Sequence, residues 1–71
     1  MKKKMIEIIL NGFKEKVPAN ITISQLISYI NEKDSHVIVE INSKYVFPQF
    51  YSSTIVSDGD RVEFINPDFG G

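Results

Sequence analysis

An Asn-Gly pair at residues 11–12, set between two short runs that alternate apolar and polar side chains, constrains this chain more than any other feature. Both central positions of a two-residue type I′ hairpin turn need positive φ, which Asn and Gly tolerate. The run at 5–10 is therefore expected to pair with a returning antiparallel strand over 13–17. In the first run Ile6, Ile8 and Leu10 fall on one face and Met5, Glu7 and Ile9 on the other, the period of a half-buried strand. Pro18 has no N–H to give to a ladder and ends the second strand.

A helix is predicted to follow. Thr22 is a good N-cap, Gln25 lies three positions on as in a capping box, and Ile21 and Leu26 are spaced as a hydrophobic staple. Ile23, Leu26, Ile27 and Ile30 make one apolar stripe, with Ser24, Ser28 and Asn31 on the wet side, and the polar stretch 31–35 closes the helix. Residues 36–41 alternate again, with Val37, Val39 and Ile41 on one face, and 42–44 turn into a short strand at 45–47. Pro48 breaks that run, Asp58-Gly59-Asp60 makes a turn, and 61–65 form a last strand with Val62 and Phe64 on one face. Two hairpin strands, one helix and then more strands give an α+β fold: a mixed four- to five-stranded sheet with one helix packed on one face. The β-grasp is the simplest such fold. In it the first and last strands lie side by side as a parallel central pair. Residues 1–66 are expected to form the domain and 67–71, ending in Gly70-Gly71, a flexible tail.

Size and charge narrow the function. Seventy-one residues fit one core and leave little chain for an enclosed pocket. Eight Lys and Arg against nine Asp and Glu give a net charge of −1, so no nucleic-acid or anionic-membrane partner is implied. The absence of cysteine removes disulfides, Cys-based metal sites and a catalytic thiol on this chain. The basic start, residues 1–4, is followed by too short an apolar stretch for a signal peptide, so a cytoplasmic protein with no membrane span is expected.

Candidate sites are few. His36 is the only histidine and has no companion ligand or nucleophile in a recognisable pattern, and the two carboxylates flanking Gly59 suit turn geometry better than a metal pair. No acid/base pair, nucleophile motif or phosphate loop points to an enzyme. Tyr45, Phe47, Phe50 and Tyr51, without interleaved basic residues, read as a minor core under a loop. If the Ile8 face meets the helix, Ile9, Ile38 and Ile65 point the other way. They are expected to form an uncovered apolar patch near the tail exit, a docking surface. Gly70-Gly71 carries the most chemical meaning: at about 7% glycine usage, two terminal glycines arise by chance in about 0.5% of chains. A carboxylate drawn through a narrow channel to a nucleotide needs a chain end with no side chains to block passage.

The string of motifs is similar to the sulfur carriers of the ThiS family, within the ThiS/MoaD ubiquitin-like group. The resemblance rests on an opening strand ending in Asn11-Gly12, then Thr22-Ile23 with Leu26-Ile27, and Val37-Ile38-Val39-Glu40-Ile41-Asn42. It continues through Val46-Phe47-Pro48 and Ile55-Val56-Ser57-Asp58-Gly59-Asp60 to Gly70-Gly71. The resemblance implies a β-grasp carrier, not an enzyme, with no stably bound cofactor. It implies that Gly71 is adenylated by an E1-like adenylyltransferase of the ThiF type using ATP and Mg. A desulfurase system then supplies the sulfur of a thiocarboxylate, which a thiazole synthase of the ThiG type takes up for thiamine biosynthesis. Gly70 and Phe69 are the residues threaded ahead of it, and Pro67-Asp68-Phe69 is bulkier than the family pattern leads one to expect. A molybdopterin-synthase small subunit (MoaD-like) and a ubiquitin-like binding module that is never activated are the alternatives.

Overall fold

The computed structural model describes residues 4–30 and 37–66. Residues 31–36, which include His36 and the expected helix closure, and the expected tail 67–71 lie outside the described residues. Strands β1 (Met5–Leu10) and β2 (Phe13–Pro18) form the predicted hairpin, with Leu10 opposite Phe13 and Met5 opposite Pro18. Asn11 and Gly12 take φ of 50° and 88°, the left-handed pair a type I′ turn requires. Strand β2 ends at Pro18 as expected, with the proline itself as its last residue, which an edge strand permits because its outward side has no strand to need the missing donor.

Helix α1 (Ile23–Tyr29) starts on the capping box read from the sequence. Gln25 N donates to Thr22 Oγ1 at 3.1 Å while Thr22 N donates to Gln25 Oε1 at 2.9 Å. Two further donors of its first turn, Ile23 N and Ser24 N, are met by the carbonyls of Thr54 and Tyr51. Strand β3 (Ile38–Ile41), strand β4 (Lys44–Val46), a 3₁₀ turn at Pro48–Phe50 and strand β5 (Arg61–Ile65) complete the chain. Strands β3 and β4 are joined by Asn42 and Ser43, both at positive φ.

The sheet order is β2-β1-β5-β3-β4, with β1 parallel to β5 and every other pair antiparallel. This is the expected β-grasp. Ile8, Leu10, Val17, Val39 and Val62 on one face are buried with Ile23 and Leu26 of the helix, and Ile6, Ile27, Ile30, Ile41 and Phe64 pack at the margin of that core. Covering one face with the helix makes the alternation of β1, β3 and β5 necessary, since among the described residues no second layer lies over the outward side chains.

One expectation fails. Of the four aromatics read as a minor core, only Tyr51 is buried, while Tyr45, Phe47 and Phe50 are 48%, 53% and 50% exposed. For Tyr45 and Phe47 the cause is strand parity: Tyr45 lies opposite Glu40 on the open face of the sheet and Val46, between the two aromatics, turns inward, while Phe50 lies in the 3₁₀ turn outside the sheet. Tyr51 reaches back instead and donates its hydroxyl to Val37 O at 2.8 Å, satisfying a buried carbonyl just ahead of β3.

Burial pushes the Tyr51 phenol above its ordinary value of 10.0, and the Tyr45 phenol adds to the effect. Between the unfolded and folded values the folded protein keeps a proton that the unfolded chain has lost. The stabilisation is therefore complete below about pH 10 and disappears as the pH rises through the folded value. Unfolding free energies followed by denaturant titration from pH 8 to 11.5 should fall more steeply for the native protein than for Tyr51→Phe. Parallel profiles would show that the phenol does not titrate with folding.

Candidate functional site

From Ile9 to the end of β5, the open face of the sheet presents three tiers set by the strand register. In the first, Lys14, Ile9, Arg61 and Asn42 run across β2, β1, β5 and the end of β3. In the second, Glu63 of β5 lies opposite Glu40 of β3, which lies opposite Tyr45 of β4. In the third, Ile65 lies opposite Ile38, and the same register carried one pair beyond Val39 and Val46 brings Phe47 next to Ile38. The Tyr45 and Phe47 rings meet edge to face, with centroids 4.8 Å apart, and tie the second tier to the third.

This geometry divides the patch expected from the sequence. Ile38 and Ile65 are direct cross-strand neighbours, but Ile9 is in register with Arg61, four residues and about 13 Å back along β5. A band holding Arg61, Glu63 and Glu40 lies between. The apolar surface beside the end of β5 is instead Ile65, Ile38, Phe47 and Tyr45, with Ile65 42% exposed. Two of its members are the aromatics assigned from the sequence to a minor core. The signal that could have found them is their i, i+2 spacing in a strand that pairs with β3. Among the described residues, β5 is the central strand and ends at the third tier, so the chain leaves toward Gly71 from beside this apolar row. Phe69, Gly70 and Gly71 themselves lie outside the described residues.

The two carboxylates of the 58–60 turn are committed to backbone. Asp58 Oδ1 accepts from Glu7 N at 2.8 Å, and Asp60 Oδ2 accepts from Ser57 N at 2.8 Å. Asp60 Oδ1 accepts from Asn42 Nδ2 at 3.0 Å, and Gly59 between them takes a φ of 86°. This is the turn role the sequence suggested. No group of three or more metal-ligating side chains occurs among the described residues, and no helix there is long and apolar enough to cross a membrane. An open concavity of about 820 Å³, lined by Lys4, Asn20, Ser24, Gln25, Ser28 and Tyr29, lies at the other end of the sheet, by the start of β1.

Over residues 4–71 the chain matches the model of the ThiS family. The chain belongs to the ThiS family. It is similar to the uncharacterized protein ycf40 of Porphyra purpurea, with 30% identity over the full length of both chains. Among solved structures it is similar to the thiamine biosynthesis protein (ThiS) of Geobacter metallireducens. The crystal structure of that protein gives a TM-score of 0.82 at 28% identity, covering 93% of this chain and 100% of the other. Its solution structure gives 0.75 at 28% identity, covering 93% and 88%. The ThiS-family match thus takes in both the open-face tiers and the stretch through Gly71.

Glu40 and Glu63 face each other directly across β3 and β5, a like-charge pair that costs sheet stability. Glu63→Gln should stabilise the fold by about 0.2–1 kcal/mol at low ionic strength, with most of the gain lost in concentrated salt. A gain that is the same at 10 mM and 1 M salt would assign it to something other than charge repulsion.

Proposed function

We propose that this ThiS-family chain is a sulfur carrier of thiamine biosynthesis and works through the carboxylate of Gly71. The supporting observation is a family match that continues through Gly71, joined to a central last strand that leads the chain out beside an uncovered apolar row. A carboxylate is a poor acyl donor because its leaving group would be oxide. In the proposed reaction a Gly71 oxygen attacks the α-phosphate of ATP and pyrophosphate departs, leaving an acyl adenylate. An E1-like adenylyltransferase of the ThiF type supplies the site, with the ATP and Mg. A persulfide from a desulfurase system then displaces AMP to give an acyl disulfide. A thiol cleaves its S–S bond and leaves as the mixed disulfide, and the resulting thiocarboxylate gives its sulfur to a thiazole synthase of the ThiG type. In this scheme the carrier itself contributes no acid, base or metal. Its part is to present a chain end whose last two residues, Gly70 and Gly71, have no side chains to obstruct a channel.

The apolar row of Ile65, Ile38, Phe47 and Tyr45 is the proposed docking surface for the activating enzyme. An exposed aromatic pair beside two aliphatic side chains supplies the large, rigid contact area on which interface cores depend. Ile9 belongs to the same face but stands apart from this row, behind the band of Glu40 and Glu63.

Two measurements test the reading. Incubation with the E1-like enzyme of the same organism and Mg-ATP should give ATP–pyrophosphate exchange. The exchange is expected to disappear when Gly71 is deleted or when one residue is added after it, with the circular dichroism spectrum unchanged. Full exchange by either variant would remove the C-terminal mechanism. In the docking test, Ile65→Glu and Phe47→Ala should each weaken binding to that enzyme about tenfold or more, with little loss of melting temperature, and Ile9→Glu should weaken it less. Ile8→Ala behaves in the opposite way, losing roughly 2–5 kcal/mol of stability to a core cavity. Unchanged affinity for both Ile65→Glu and Phe47→Ala would place the interface elsewhere.

A further inference from the structure

Strand β1 ends at Leu10, but its hold on β5 continues for one more rung. Asn11 N donates to Val62 O at 2.9 Å, and in a parallel ladder the next bond would run from Phe64 N to the backbone carbonyl of residue 11. The turn takes that carbonyl out of line, because Asn11 has already entered the left-handed region at φ 50°. Its side chain supplies the missing acceptor: Phe64 N donates to Asn11 Oδ1 at 2.9 Å. The bond spans 53 positions in sequence, so it has nothing to do with forming the hairpin locally. Asn-Gly, Asp-Gly and Gly-Gly all suit a type I′ turn, and of the three Gly-Gly alone offers no side-chain acceptor.

We infer that Asn11 is a positioning residue for the C-terminal tail. Its side-chain amide pins β5 one rung beyond the end of β1 and fixes the point from which the chain sets out toward the activating enzyme. The inference rests on the carrier function proposed above. Phe64 stands seven residues before Gly71, and loss of the bond would remove the grip on β5 that the β1 side extends from Val62 to Phe64. β3 still holds the other edge through the pairs Val39–Phe64 and Ile38–Ile65. Phe64 would then be held by its β3 neighbour alone instead of lying between β3 and Asn11. In the free carrier fewer molecules would hold the tail root in the orientation the enzyme accepts, and apparent affinity falls by that fraction. Once docked, the enzyme itself holds the chain end, so the chemical step is unaffected.

Asn11→Gly and Asn11→Asp separate this role from turn formation, since both keep a favourable hairpin sequence and Asp alone restores an acceptor. Amide hydrogen exchange on the isolated protein and ATP–pyrophosphate exchange with the E1-like enzyme of the same organism are measured on the native chain and both variants. In Asn11→Gly the Phe64 amide should exchange about two- to tenfold faster, as expected for the loss of one net hydrogen bond, while Val39 and Leu10 stay protected. The KM for the carrier should rise by a similar factor with kcat unchanged, and Asn11→Asp should bring both values back. Undiminished protection at Phe64 in Asn11→Gly, or a KM equal to that of the native chain, overturns the positioning role, as does failure of Asp to rescue it. Those failures occur with a native chain that is active. A native chain giving no exchange at all removes the carrier function itself and the positioning role with it.

Discussion

The pairing of the first strand with the last holds the rest of the molecule in place. β1 and β5 are separated by some fifty residues, and bringing them together carries a loop-closure cost that local structure does not repay. The chain meets it with a concentrated set of bonds around one turn. Gly59 N donates to Glu7 O, Ile9 N to Asp60 O and Glu7 N to Asp58 Oδ1, so the 58–60 turn is attached to β1 before β5 has begun. Asn42 then joins the same turn to the β3–β4 hairpin through Asp60 and Arg61. Three segments remote in sequence converge on two aspartates, and the sheet order follows from that convergence. With β5 inserted between β1 and β3, the helix has a single continuous apolar face to cover.

Most of this architecture was legible in the residues, and what was missed has a common cause. Alternation in β1 and β5 marks the face on which each side chain lies, and Asn11-Gly12, Thr22 with Gln25 and the 58–60 turn mark where the elements begin and end. None of these signals says how far one strand is slid along another when the two are distant in sequence. Ile9, Ile38 and Ile65 do share a face, yet Ile9 sits beside Arg61 rather than Ile65 because β1 and β5 overlap by only two paired residues. The same kind of ambiguity hid Tyr45 and Phe47. A short strand at 45–47 is expected from the residues, but nothing in them says which of its side chains face the helix; the pairing of Lys44–Val46 with β3 turns Tyr45, and Phe47 one pair beyond, to the open face.

The open face combines an aromatic-aliphatic row at one end with a mixed charged band behind it. Charge repulsion between Glu40 and Glu63 weakens the sheet slightly where no packing partner compensates. Such a band separates the apolar row at the end of β5 from Ile9 and keeps the two from merging. A continuous apolar stripe from Ile9 to Ile65 would present a larger patch and a greater hazard of nonspecific association.

The two outermost strands have a consequence for assembly. β2 carries Lys14, Glu15 and Lys16, all exposed, and finishes in a proline; β4 is three residues long and is followed within two positions by another proline. Both edges are therefore poor templates for an added strand. A protein built on one small sheet, with one face left open among the described residues, would otherwise be prone to grow by recruiting strands from its neighbours. With the edges made unsociable, encounters are steered to the open face. The carrier role proposed above, with one partner after another, would gain from this, because side-chain contacts across a face come apart more readily than a shared backbone ladder.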